Sequence, residues 1–152
     1  MAAGDVVFFQ QWLVDVQEAL HDGENDDFRY SIVDSTITPL TTTSDPRWGA
    51  GGSTDLSVNE VATGGNYTVG GIAIANPSVT LVSGEAVWDG DDFAVTQHAS
   101  NPTDGRWGII WNNTATGKQA VGFQDLGSVT DLSAGAFSNT WNAAGISKMS
   151  RV

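Results

Sequence analysis

Any chemistry in this chain would have to come from its carboxylates, two histidines and six tryptophans, because its 152 residues include no cysteine. Without thiols there are no disulfides, thiolate metal sites or cysteine nucleophiles. His21 and His98 stand alone in sequence, outside any His-x-x-x-His or His-Glu zinc pattern. No Gly-x-Ser-x-Gly elbow offers an activated serine. Asp22-Gly23-Glu24-Asn25-Asp26-Asp27 is strongly acidic, but it lacks the sixth-place glycine and the terminal glutamate of an EF-hand. Asp89, Asp91 and Asp92 flank Gly90 in a turn, where Asp and Gly are favoured for backbone reasons alone. Two acids facing each other across a sugar would make a glycosidase, yet every acidic cluster here falls in a turn. Gly49-Ala50-Gly51-Gly52-Ser53-Thr54 has the glycines of a phosphate loop without its lysine. The residues therefore specify no catalytic site, no cofactor site and no metal site. They argue for a structural or binding protein.

What remains is recognition. Arg and Trp dominate binding hot spots, so Arg47-Trp48, in the middle of a long loop, reads as an interface anchor. The opposing reading folds Trp48 back onto the domain. Phe8 and Trp12, beside the apolar stripe of an N-terminal helix, are the other candidate interface residues. Trp88, Trp107, Trp111 and Trp141 fall on expected strands. Exposed rings there would stack on sugars, whereas buried rings would build a core. Trp107 and Trp111 share one face by parity.

The elements that must position these residues follow from periodicity. Residues 1–4 form a short arm. Residues 5–22 are expected to form an amphipathic helix, capped by Asp5, with Phe9, Leu13, Val16 and Leu20 on its apolar side and His21 and Gly23 at its stop. Phe28-Arg29-Tyr30-Ser31-Ile32-Val33 alternates as a strand. Residues 34–55 are a long polar connection, and a loop of about twenty residues in a compact domain is usually functional or partnered. Short strands follow, separated by Gly-, Asn- and Asp-rich turns. Residues 105–127 read as two strands joined at Asn112-Asn113-Thr114-Ala115-Thr116-Gly117, the centre of an antiparallel core. The expectation is a single domain, 1–152, mainly β: an antiparallel β-sandwich or barrel of about eight to ten short strands, with one N-terminal helix and a β body over 28–152.

Composition sets the limits. Hydrophobic residues make up 40% of the chain, enough for a core. Eighteen acidic against six basic residues give a net charge of −12, so nucleic acid is a poor partner. No apolar run approaches the roughly 20 residues of a membrane helix. The N-terminal stretch lacks the basic flank of a secretory signal peptide.

Several motifs, in order, resemble a family of small virion structural proteins of tailed bacteriophages. Ser57-Val58-Asn59-Glu60-Val61-Ala62 followed by Gly64-Gly65-Asn66-Tyr67-Thr68-Val69-Gly70-Gly71 is similar to one family segment. Ala86-Val87-Trp88-Asp89-Gly90-Asp91-Asp92-Phe93 resembles a strand ending in an Asp-Asp turn. Residues 106–127 resemble the family's hairpin, with Trp in place of Tyr. Phe137-Ser138-Asn139-Thr140-Trp141-Asn142-Ala143-Ala144-Gly145-Ile146 resembles its closing segment. The resemblance implies a non-enzymatic β-rich protein, made in the host cytoplasm and present in many copies on the virion. A capsid decoration (cement) protein on the outer surface of the head is the first expectation. Its partners would be the major capsid protein and further copies of itself, as a trimer or dimer. The alternatives are a tail-associated protein (tube, tip or fibre base) and a carbohydrate-binding module.

Overall fold

The structure, a computed structural model, describes residues 6–150. The expected arm 1–4 and the capping Asp5 lie outside the described residues. The described chain runs β1 (Val6–Phe8), α1 (Gln10–Gln17), β2 (Phe28–Val33), β3 (Pro46–Arg47), β4 (Thr54–Asp55), a 3₁₀ turn at Ser57–Asn59, β5 (Ile72–Ala73), β6 (Ser78–Val82), β7 (Glu85–Asp89), β8 (Phe93–Val95), β9 (Gly105–Asn112), β10 (Ala120–Thr130), β11 (Phe137–Asn139) and β12 (Ser147–Ser150). It is mainly β, with one α-helix.

A five-stranded antiparallel sheet, in the order β1-β10-β9-β2-β5, organises the molecule. The hairpin β9–β10 lies at its centre, as the alternation of residues 105–127 led one to expect. The sheet is open, with β1 and β5 at its edges, so it does not close into a barrel. Smaller sheets, β12-β7-β6 and β11-β8, supply further layers.

Both faces of the central sheet are buried, and parity decides which residue serves which face. On one side Phe28, Tyr30, Ile32, Ile110 and Val121 pack with Trp12, Trp88, Val95, Trp141 and Ile146. The helix and the small sheets contribute this second layer. On the other side Val33, Trp107, Ile109, Trp111 and Phe123 pack with Phe9, Trp48 and Leu56. A register shift between Ala120 and Gly122 moves Ala120 and Phe123 onto the same face despite their odd spacing.

The long connection 34–55 is what covers that second face. It carries Trp48, with Ile37 packed at the margin and Leu56 just after it. Its backbone is tied down by Trp48 N–H donating to the Lys118 carbonyl (2.9 Å) and Leu56 N–H to the Arg47 carbonyl (2.9 Å). The backbone polar groups that a loop does bury must be paired in this way.

The helix differs from the expected 5–22. Val6–Phe8 pair with Gly122–Gln124 as an edge strand, and Phe9 is extended (φ −66, ψ 145) at the helix start. Pairing along β10 takes the first turn from the helix. At the other end the chain reverses at Ala19, whose φ is +55. The buried side also differs: Trp12 and Asp15 face inward, while Leu13 is 64% exposed. The large indole takes the interior position, and Leu13 alone of the expected stripe turns outward, while Phe9 is buried and Val16 packs against the core.

Candidate functional site

The four candidate interface residues form two pairs on opposite faces of the central sheet. Phe8 lies on β1 rather than on the helix, half-buried, with its ring 5.8 Å from that of Trp12. Trp12 is buried and lies within 6.1 Å of the Trp88 ring and 4.7 Å of His21. On the other face Trp48 is buried and stacks on Trp111 at 5.2 Å and 13°. Arg47 is half-buried on β3, where its Nε donates to Asp45 Oδ1 at 2.9 Å. The indoles of Trp12 and Trp48 are thus committed to the chain's own core, and Trp48 folds back onto the domain. The six tryptophans are between 2% and 9% exposed, so none is a free platform for stacking a sugar.

Part of the exposed apolar surface lies near the helix that carries Trp12. Leu13 and Val14 project from α1, and Leu40 from the long connection, at 64%, 47% and 57% exposure. Gln10 N–H donates to the Thr41 carbonyl (2.8 Å), which joins the turn bearing Leu40 to the start of that helix. Nothing in the spacing of these residues marked them, because the apolar stripe of the helix assigns Leu13 to the inside.

One buried polar cluster could hold protons. His21 and Asp15 are almost completely buried side chains, with Nε2 and Oδ2 3.8 Å apart. Asn112 Nδ2 donates to His21 Nδ1 (3.0 Å) and to Asp26 Oδ2 (2.6 Å). The amide cannot turn over freely, since Asn112 Oδ1 accepts from Thr114 N–H (2.9 Å) and Ala115 N–H (3.1 Å). A donor on Nδ1 makes that nitrogen the acceptor, so the neutral ring carries its proton on Nε2, facing Asp15. With Nδ1 taken by an amide and Nε2 facing a carboxylate, the imidazole is not directed at a hydroxyl. Ser147 Oγ, buried nearby, makes no hydrogen bond. The cluster contains no activated nucleophile. Sequence reading placed His21 at the stop of the helix, and no spacing signal marks Asp15 as its buried neighbour.

Burial lowers the His21 pKa below the ordinary imidazole value, outweighing the opposing pull of Asp15 and Asp26. The unfolded chain therefore binds the His21 proton at a higher pH than the folded chain does. This contribution to stability is fully present above about pH 6.5, the unfolded value, and is lost as pH falls from there through the lower folded value. Denaturant melts from pH 7.5 to 5 are expected to show that loss. A His21→Gln chain should lack this component, and an unchanged pH slope in that variant would refute the assignment.

Most carboxylates of the acidic turns are engaged in local hydrogen bonds, whereas Asp89 Oδ1 is buried without one. Asp22 Oδ1 accepts from Glu24 N–H (3.1 Å) and Asn25 N–H (3.2 Å). Asp27 Oδ2 accepts from Arg29 (2.9 Å) and Asn113 (2.7 Å). Asp91 Oδ2 accepts from Asn76 (2.6 Å), and Asp92 Oδ1 from Trp141 N–H (2.9 Å). Among the described residues no three His, Asp or Glu side chains converge as a metal site. His98 is exposed, and its Nδ1 accepts from Ser100 N–H at 3.1 Å. No helix of the described residues is long and apolar enough to cross a membrane.

Two of the open clefts at the surface adjoin the central sheet. One, of about 360 Å³, lies between β10 and β11 and is lined by Gln124, Asp125, Asp131, Phe137 and Asn139. The other, of about 440 Å³, lies beside β1, between Phe8, Trp141 and Lys148. Neither brings together a base, a nucleophile and an oxyanion donor. Comparison of the chain with protein-family models, with curated proteins and with solved structures finds no match.

Proposed function

We propose that this chain is a non-enzymatic structural protein of a bacteriophage virion, and most simply a capsid decoration protein that binds the outside of the assembled head. The observation that carries the reading is that the groups able to do chemistry are used to build the fold, while apolar side chains are left at the surface. His21, Asp15, Asn112 and Asp26 form a cluster inside the fold, and all six tryptophans are core. The ordered motifs that resemble phage structural proteins point the same way. The central sheet with the small sheets over one face is read here as an open β-sandwich, a rigid body suited to such a role. A ligand that binds only the assembled shell stabilises it by mass action.

The contact surface would be Leu13 and Val14 of α1 with Leu40 of the turn joined to the start of that helix, and the major capsid protein would be the partner. Cryo-electron microscopy of empty shells mixed with the purified chain tests this. Ordered density at local threefold or twofold axes on the outer surface would support the proposal. Absence from shells would refute it, and density confined to the tail would favour a tail-associated protein. A Leu13→Glu, Leu40→Glu chain is expected to lose shell occupancy with little change in Tm, because both side chains already face water. Undiminished occupancy would exclude this patch.

A further inference from the structure

The edge of the three-stranded sheet is open except at Val79, where the Glu24 carboxylate approaches the backbone N–H. β6 is its outer strand, and among the described residues no strand pairs with its far side. It reads Ser78-Val79-Thr80-Leu81-Val82, with no charge and no proline. Its five pairs with β7 run without a bulge. Val79, Leu81 and Val82 are 39%, 80% and 50% exposed. Natural edge strands are normally shielded by charge, proline, bulges or cover, and an apolar, flat edge is a template for another strand. The Lys148–Glu85 pair on the neighbouring strands, at 3.2 Å, is neutralised within the chain, and Glu24, held by one long hydrogen bond to Val79, is the charge that a pairing strand would displace.

The direction of the free backbone groups follows from the turn. Ser83 and Gly84 both have positive φ (51 and 87), as in a two-residue type I′ hairpin. Val82 and Glu85 then form the closing hydrogen-bonded pair, so Thr80 and Ser78 also bond inward to β7. Val79 and Leu81 present their N–H and C=O groups outward. The Val79 N–H reaches only the Glu24 carboxylate, at a long 3.4 Å.

We propose that β6 pairs antiparallel with β6 of a second copy of this chain, about a twofold axis through Thr80. The inference is independent of the virion reading. The strand is complementary to itself: Thr80 lies opposite Thr80 of the other copy, Val79 opposite Leu81, and Ser78 opposite Val82. Val79 and Leu81 are the outward-bonding residues, so this register makes two reciprocal pairs of hydrogen bonds. Threonine–threonine and paired aliphatic contacts across strands are favourable. It also covers the most exposed large side chain. Leu81 already lies in a row with Ala86 and Met149. The other copy's Val79 would extend that row, giving a six-stranded sheet across the dimer. An isologous contact of this kind closes at two copies.

Each copy carries a net charge of −12, so pairing is opposed by long-range repulsion that salt screens. The sedimenting mass is therefore expected to rise with salt from one chain of 16.0 kDa towards two. A Leu81→Lys chain should keep its fold and lose the dimer, because that side chain faces water in the monomer. Register is tested separately. The chain has no cysteine, so Thr80→Cys introduces a single thiol. Non-hydrogen-bonded antiparallel partners have Cα atoms about 4.5 Å apart, within disulfide range. Mild oxidation should cross-link Thr80→Cys into a covalent dimer, and leave a Leu40→Cys control largely monomeric. A native chain that stays monomeric at high salt, or that forms a trimer, would overturn the proposal. So would cross-linking of Thr80→Cys no faster than the control.

Discussion

Replacing Trp48 with alanine is expected to cost about 3–5 kcal/mol of folding stability, the usual range for truncating a buried aromatic. The indole is 6% exposed and lies flat on Trp111. It is also the main apolar side chain that the connection 34–55 places on the second face of the central sheet. Its loss leaves a cavity beside Trp111 and weakens the attachment of the whole connection. For a domain of this size the Tm should fall by roughly 10 °C or more. Trp48→Phe should recover part of the loss, because a ring still covers the face. Thermal and urea melts read both effects. A Trp48→Ala chain within about 0.5 kcal/mol of the parent, the range of ordinary surface changes, would show that the connection does not hold this face closed.

Overpacking at Gly108 should be comparably damaging. A Cβ there would lie 1.8 Å from Tyr30 Oη and 2.0 Å from its Cζ. Tyr30 cannot swing aside. Its ring is fully buried, with Phe93 at 5.0 Å and Trp141 at 6.1 Å, and its hydroxyl donates to Gln124 Oε1 at 2.5 Å. Burial raises the phenol pKa well above its ordinary value, so the hydroxyl stays protonated and remains a donor. Gly108→Ala must move either the ring or the central strand β9. Overpacking alone typically costs about 1–3 kcal/mol, and breaking the buried hydrogen bond adds about 1–3 kcal/mol. Gly135→Ala is the matched control, since a Cβ there meets nothing within 4 Å. Equal melting curves for the two variants would contradict the packing described around Tyr30.

These expectations show how far local pattern reaches. Phe28–Val33 was legible to the residue, because alternation, β-branching and aromatic content agreed. The hairpin of β9 and β10 was legible from its Asn- and Gly-rich turn and from the shared parity of Trp107 and Trp111. Parity cannot reveal that a strand is buried on both faces, as β9 is, and it cannot foresee the shift at Ala120–Gly122. Helical spacing over 9–20 was real but incomplete. Pairing of Val6–Phe8 with β10 outweighed it at one end, and the size of Trp12 rotated the buried side away from Leu13.

The sequence by itself determined the β-rich class, the central hairpin, the acidic surface and the lack of thiol chemistry, all of which are properties of residue type and short-range spacing. Only the tertiary structure decided where the long-range partners met. It laid Trp48 on Trp111, set His21 against Asp15 and Asn112, and left β6 uncovered at an edge. The reason is physical. A side chain's burial depends on what arrives from distant parts of the chain, and the Arg-Trp pair of a loop has the same sequence whether it meets another protein or its own core.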